Sequence, residues 1–342
     1  MKLALQLGYW GATPPGNAGE LVAEAERLGW DAVFAAESWG SDAFTPLAWW
    51  GSATNRIRLG TSVAQLSART PTGCAMHALT LDHLTGGRFT LGLGVSGPQV
   101  VEGWYGQPFA RPLARTREYV SIVRQVLARE APVRGDGPHY PLPYRGERAT
   151  GLGKPLRAIT HPLRADLPIL LGAEGPRNVA LAAEIADGWL AVYYSPRLAE
   201  QYNTWLDEGF GARDRTGFEV VASAQVIVTD QPERAVADMK PVLALYIGGM
   251  GAPELNFHAE VFRRMGYAAE VAAIGRLFRE GDRERAAAAV PDELVHDIAI
   301  IGTAGHVREQ VARWARAGVT TLLVGCRGVD ELRALSEVWN TF

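Results

Sequence analysis

Residues 57–93 read IRLGTSVAQLSARTPTGCAMHALTLDHLTGGRFTLGL, and this stretch decides the fold. Ile57 to Val63 is an apolar run of strand length. Pro71 to Leu84 is a helix with proline at its first position, and Arg88 to Leu93 is a second strand. A strand–helix–strand unit of this size joins parallel neighbours. The same cycle recurs on either side. Before it come a strand at Leu3 to Gly8 and a helix at Ala18 to Leu28. Leu21, Ala25 and Leu28 recur there at three to four residues, and Gly29 is placed to end the helix. A strand at Ala32 to Ala36 follows, then a helix at Thr45 to Asn55 with Thr45 as its cap. After it come a helix at Pro112 to Arg129, a strand at Pro168 to Gly172 and a helix at Pro176 to Ala186. Further strands fall at Trp189 to Tyr193, Val220 to Val228 and Thr320 to Gly325. Helices are expected at Pro196 to Phe210, near His306 to Ala317, and at the end of the chain.

Eight strands alternating with helices imply an α/β fold with a parallel sheet covered on both faces. A closed (β/α)8 TIM barrel takes about 250 residues, and 342 leaves room for insertions. A doubly wound open sheet is the alternative. No Gly-x-Gly-x-x-Gly joins the first strand to the first helix, which removes the marker of a dinucleotide-binding domain. Two stretches, about 131–166 and 241–297, break the rhythm after strands four and seven. Long insertions of this kind are lids or small subdomains, expected at the C-terminal ends of the strands, where barrels build their sites. The whole chain, 1–342, reads as one domain.

Composition narrows the partners. A hydrophobic share of 47%, a charged share of 21% and a net charge of -3 describe a folded protein with no call for nucleic acid or an anionic membrane. Cys74 and Cys326 lie far apart in apolar runs, which suits reduced buried thiols. No apolar run approaches the ~20 residues of a membrane span, and the start reads as a strand rather than a signal peptide. A cytoplasmic location is the expectation. The seven histidines form no cluster at ligand spacing, so no metal is expected.

In a barrel the chemistry sits at strand ends. This gives Gly8, Tyr9 and Trp10; Glu37, Ser38 and Trp39; Ser62 to Gln65; Gly94 to Gly97; Gly172 to Gly175; and Tyr193, Tyr194 and Ser195. Such a mouth is aromatic and weakly charged, suited to a flat conjugated ring, although each aromatic could equally cap the core. Leu91 to Pro98 and Leu171 to Pro176 put glycines where a strand gives way to a turn. Small residues let a ligand approach the backbone, and the free N–H groups of a helix start favour phosphate. Gly94-Val95-Ser96-Gly97-Pro98 fails the nucleophile-elbow pattern at its last position.

These motifs resemble the F420-dependent branch of the luciferase-like oxidoreductases. The matching runs are 36–43 (AESWGSDA), 56–63 (RIRLGTSV), 68–71 (ARTP), 91–102 (LGLGVSGPQVVE) and 178–189 (NVALAAEIADGW), with 248–258 also similar. The resemblance implies a TIM-barrel oxidoreductase that uses coenzyme F420 to move a hydride between C5 of the deazaflavin and a small organic substrate. The reducible group would be an activated C=C, C=O or C=N, or an alcohol in reverse. It implies a non-prolyl cis peptide in a bulge at Ser62-Val63, beside Gln65, supporting the ring. Val95-Ser96-Gly97 and Gly172-Ala173-Glu174-Gly175 match the family's contacts to the ribityl chain and phosphate. Glu37 falls where an acidic residue often stands near the ring. The sugar-phosphate dehydrogenases of this branch carry a catalytic histidine where Ser38 stands and a glutamate where Gly97 stands, so a sugar phosphate is not expected. By placement, Glu37, Tyr9, Tyr194 and His258 are the candidates for moving a proton. An FMN-dependent monooxygenase using oxygen, or a non-catalytic F420 carrier, remain alternatives. A homodimer through the helices after strands two and three, with Trp49 and Trp50 as candidates, is also implied.

Overall fold

The structure is a computed structural model, and it describes residues 1–251 and 255–340. Its strands are β1 (Lys2–Gln6), β2 (Ala32–Ala35), β3 (Arg58–Thr61), β4 (Ala64–Gln65), β5 (Phe89–Gly94), β6 (Ile169–Gly172), β7 (Gly188–Ala191), β8 (Glu219–Val228), β9 (Ala299–Gly302) and β10 (Thr321–Gly325). All pair in parallel. The order runs β10-β1-β2-β3-β5-β6-β7-β8, and β8 returns to β10, with Thr321 opposite Val221 and Leu322 opposite Ala222. The sheet is thus a closed barrel of eight strand positions, β3 and β4 being two halves of one strand broken at Ser62-Val63.

Alternation explains the closure. Ala4, Ala32, Phe34, Leu170, Leu190, Val221 and Leu323 point inward and form a packed interior, capped at the top by Val63. Their neighbours face the helices and join the main core, which includes Leu5, Val33, Leu91, Ile169 and Val324. Burying an aliphatic side chain of this size stabilises the fold by about 1.5–3 kcal/mol.

Local signals act largely as expected. Gly29 ends the helix Ala18–Leu28 in the left-handed region at φ 81°. Thr70 accepts from the Gly73 N–H at 3.2 Å and Pro71 opens the helix Pro71–Leu84. The second helix departs from expectation. It spans Phe44–Gly51 and stops short of Asn55; its N-cap is Ala43 rather than Thr45, and the side chain that holds its first turn is that of Asp42. Asp42 Oδ1 accepts from the N–H groups of Phe44 and Thr45, both at 2.8 Å, a stronger acceptor than a hydroxyl one turn later.

The two insertions part company. Residues 131–166 follow a helix, Pro112–Ala128, not a strand, so they begin at the N-terminal end of the barrel. The expectation that they shape the mouth is corrected. They are fastened low: Arg164 pairs with Asp82 at the end of Pro71–Leu84, His83 Nε2 meets the His161 carbonyl at 2.8 Å, and Arg129 donates to the Ala158 carbonyl. A short excursion, Gly135 to Leu142, climbs the outside of Pro112–Ala128 and brings Tyr140 to Arg115. The second insertion does follow a strand. It begins earlier than 241, because the helix Pro232–Gly248 runs straight through Pro241. It continues through Phe257–Arg264, Ala268–Arg279, Arg283–Ala288 and Asp292–Ile298. Its own core contains Leu243, Ile247, Phe262, Ile274 and Leu294. The unexpected strand β9 then extends the sheet beside the upper half of β8, Gln225 opposite Ala299. Residues 252–254 of the run 248–258, and 341–342, lie outside the described residues. Among the described residues, no helix is long and apolar enough to cross a membrane.

Candidate active site

The floor of the barrel mouth is the break between β3 and β4. The Ser62–Val63 peptide bond is cis. Val63 turns its side chain over the barrel interior and lies on Gly94 and Gly172, where an added Cβ would stand 2.4 Å and 3.1 Å from it. Any side chain at Gly94 would displace the bulge, so glycine is a steric requirement there.

The bulge is held from every side. The Ser62 N–H donates to Ala35, the Glu37 N–H donates to the Val63 carbonyl at 3.2 Å, and the Gln6 side chain reaches the Ser62 carbonyl at 3.5 Å. Glu37 is the main fastener. Its carboxylate accepts from the Gln65 N–H at 2.7 Å and from the Arg69 guanidinium at 2.6 and 2.9 Å. Arg69 in turn rests 4.7 Å from the centre of the Phe44 ring. With both oxygens taken by protein donors and only 8% of the residue exposed, Glu37 is a buttress of the bulge and leaves the set of proton donors.

Two turns flank this floor. Ser96 adopts φ 58°, and Gly97 then opens the helix Pro98–Gly103. Gly175 opens the helix Pro176–Ile185, and an added Cβ there would meet nothing within 4 Å, so the backbone faces open space. Beside Val95 lies a small recess of about 20 Å³ between Ser67, Phe109, Arg115 and Tyr140. Around the mouth, Gln6 Oε1, Gln65 Oε1, Ser67 Oγ and Glu174 Oε2 are buried without a hydrogen-bond partner. Buried polar atoms left unpaired cost about 1–3 kcal/mol each, so these four take their partners from water or from a bound ligand.

A family model described as luciferase-like monooxygenase matches residues 4–321. The chain belongs to that family. A protein of Mycobacterium tuberculosis (strain ATCC 25618 / H37Rv) named, provisionally, as the coenzyme F420-dependent oxidoreductase Rv3520c is 66% identical over 99% of each chain. The solved structure of the coenzyme F420-dependent tetrahydromethanopterin reductase of Methanopyrus kandleri superposes with a TM-score of 0.78 at 22% identity, covering 95% of this chain and 92% of that one. An F420-dependent secondary alcohol dehydrogenase in complex with an F420–acetone adduct gives 0.77 at 17% identity, over 98% and 97%. These two structures speak for the fold. In the luciferase-like frame, the residues proposed to support a ring, Ser62, Val63 and Gln65, stand at the bulge, and both glycine turns stand at the same end of the barrel.

The four proton candidates separate. Tyr194 is not at the mouth: it is 3% exposed, packs on Trp189, Tyr202 and Trp314, and donates its hydroxyl to the Ala317 carbonyl at the opposite end of the barrel. Burial raises its pKa well above the usual phenol range. Tyr193 turned it away, by taking the left-handed conformation at φ 54° and entering the cap core against Phe262, 4.8 Å ring to ring. Tyr9 stays half exposed, its hydroxyl 3.2 Å from that of Tyr246. His258 comes down from the cap, with Nδ1 2.8 Å from Glu174 Oε1, off the line of a hydrogen bond but close enough for an ion pair when the ring is protonated. Arg264 also clasps this turn, donating to the Glu174 carbonyl at 2.8 Å.

Four residues that shape the mouth were not among the sequence-predicted site residues. Gln6 carries no motif of its own, and Arg69 stood in the run 68–71 without a role. Tyr246 looks like one more apolar position in a helix. Asn256 had a signal, an N-cap residue before a helical run. Its side chain accepts from the Ala259 N–H and donates to the carbonyls of Tyr246 and Ile247, so one amide sets both Tyr246 and His258.

Proposed function

We propose that this protein is an F420-dependent oxidoreductase that moves a hydride between C5 of the deazaflavin and a small organic substrate. The substrate would be an activated C=C, C=O or C=N compound, or an alcohol in the reverse direction. The observation that carries the reading is the end-to-end identity of 66% with a protein so named, joined to a mouth floored by the Ser62–Val63 bulge and a turn at Gly175 that presents open backbone. When bound, the reduced deazaflavin supplies the hydride. Ser62, Val63 and Gln65 would hold the ring, and the turns 95–97 and 172–175 the ribityl chain and phosphate, the latter at the start of Pro176–Ile185. Glu37 and Arg69 keep the floor in place. Tyr9 and His258 remain at the mouth to move a proton.

A fluorescence titration with F420, run beside FMN, tests this. Saturable F420 binding with no response to FMN is expected. FMN binding with F420 ignored would replace the reading with a flavin monooxygenase, which the family's description favours. Tight F420 binding with no turnover of enones, imines or ketones would leave a carrier.

We also infer a homodimer through Phe44–Gly51 and Pro71–Leu84, where Trp49 is 77% and Met76 63% exposed. Trp50 contributes less, since it packs on Trp10 at 6.1 Å. Sedimentation of wild type against Trp49→Glu checks this: the variant should become monomeric.

A further inference from the structure

The geometry points to a paired-phenol proton donor at this mouth: Tyr9 delivers the proton to the substrate oxygen, and Tyr246 positions Tyr9 for that step. This inference rests on the oxidoreductase reading above. The two hydroxyls are 3.2 Å apart, one from the segment after β1 and the other from the cap. Tyr9 follows β1 at the mouth end of the barrel, three residues beyond the Gln6 whose side chain touches the Ser62 carbonyl. Tyr246 comes from the cap helix Pro232–Gly248.

Within a phenol pair one O–H donates to the other oxygen, and the second O–H is left to donate outward. Tyr246 is the inner member. Its ring stands edge-on to Tyr193 at 5.8 Å and to His258 at 5.1 Å, and the Asn256 amide fixes its backbone. Burial first, and the bond to Tyr9 second, push its pKa well above the phenol range. Either hydroxyl can donate across the 3.2 Å, and we assign the donor role to Tyr246 because its ring is enclosed by Tyr193 and His258 and its hydroxyl meets that of Tyr9. Tyr9, 50% exposed, has the O–H that faces the mouth. Of the nearby carboxylates, Glu37 is engaged by Arg69, and Glu174 lies with one oxygen 2.8 Å from His258 Nδ1.

The step balances for a carbonyl substrate. Hydride from the reduced deazaflavin forms the new C–H bond, and the electron pair of the C=O π bond takes the Tyr9 proton to form O–H. The carbonyl carbon is reduced and the deazaflavin oxidised. The phenolate left on Tyr9 accepts a hydrogen bond from Tyr246 until solvent restores its proton. In this scheme Tyr9 is the catalytic residue and Tyr246 the positioning residue.

Pentafluorophenolate, a flat oxyanion resembling the developing alkoxide, is a probe that needs no knowledge of the substrate. Its binding is followed by fluorine NMR, with and without F420, in wild type, Tyr9→Phe and Tyr246→Phe. Wild type should bind it saturably, Tyr9→Phe about tenfold more weakly, and Tyr246→Phe about threefold more weakly. F420 affinity should stay within about twofold in both variants, which reports an intact fold. The double variant Tyr9→Phe/Tyr246→Phe gives the readout a merely structural role would not move: with the Tyr9 hydroxyl already gone, losing that of Tyr246 should weaken the probe no further, whereas independent contributions would add. Probe binding unaffected by Tyr9→Phe, or no probe binding by wild type, overturns the phenol pair while F420 binding stands. No F420 binding by wild type overturns the oxidoreductase reading, and the probe titration in cofactor-free protein then still decides the pair.

Discussion

The two insertions look alike in sequence and do opposite things in the fold. Both are long, both interrupt the strand–helix rhythm, and both were expected at the mouth. The segment 131–166 leaves the end of a helix and wraps the bottom and flank of the barrel as a strap. The segment after β8 leaves the end of a strand and rises as a helical cap with a core of its own. What separates them is the phase of the βα cycle at which they enter. Each strand delivers the chain to the top and each helix returns it to the bottom, so an insertion's neighbour decides which face it serves. The cap brings Tyr246, His258 and Arg264 to the candidate site, while the strap contributes Tyr140 to the recess beside Val95.

The largest expected effect lies in the cap. Phe262 is fully buried and stacks on Tyr193. Phe262→Ala should cost about 3–5 kcal/mol by the loss of an aromatic from a packed core, read by urea denaturation, and F420 affinity should fall with it. If F420 binds as tightly to the variant as to wild type, the cap does not shape the site. The strap offers the contrasting change. Arg164 is the ion partner of Asp82, which is 2% exposed and also accepts from the Phe89 N–H. Arg164→Ala should cost about 3 kcal/mol by leaving a buried carboxylate unpaired. F420 affinity per folded molecule should be unchanged, because this bond lies at the far end of the barrel.

The phase of each insertion was present in the sequence, since 131 plainly follows the helix that ends near Arg129, yet length alone was taken as the sign of a lid. Barrel strands were legible because β-branched and leucine runs such as Thr321 to Gly325 are short, continuous and bounded by turns. The glycine turns and Ser62-Val63 were legible because strand ends in a barrel are site positions whatever the family. Tyr194 was misplaced because two adjacent tyrosines after a strand look interchangeable. The positive φ at Tyr193 decides which faces the cap and which the core, and a non-glycine residue gives no advance notice of it. The second insertion was begun at 241, but the cap core on both sides of Pro241, Val236 and Leu243, carries one helix through that point. Glu37 was placed correctly, while its role depended on Arg69, a pairing across 32 residues that only the fold creates.

A smaller effect sharpens how the cap meets the barrel. His258 faces Glu174 on the turn proposed to hold phosphate, so its protonated ring would offset a carboxylate beside a bound anion. His258→Ala should therefore weaken F420 by about tenfold, or 1.4 kcal/mol. Glu174→Gln should restore most of that loss in the double variant, whereas two independent contributions would add. Titrating all four proteins by fluorescence gives the coupling directly. A sum equal to the parts would mean the pair holds the cap closed without touching the phosphate field.

The smallest effect is expected at the strap's outer edge. Ile159 is 95% exposed and Leu152 86%, apolar side chains that nothing in the chain covers. Substituting a surface residue that touches neither core nor ion pair changes stability by no more than about 0.5 kcal/mol. Ile159→Ser should therefore leave the urea midpoint, the F420 affinity and the sedimentation coefficient where they are. The comparison makes this null result informative. The proposed dimer face lies on Phe44–Gly51 and Pro71–Leu84, and Leu163 of the strap comes down beside Gly87, just past the end of the second of these helices. If Ile159→Ser shifts the protein toward monomer while Trp49→Glu does not, the strap is an assembly element. The two insertions would then divide the work, one building the site and the other the contact between subunits.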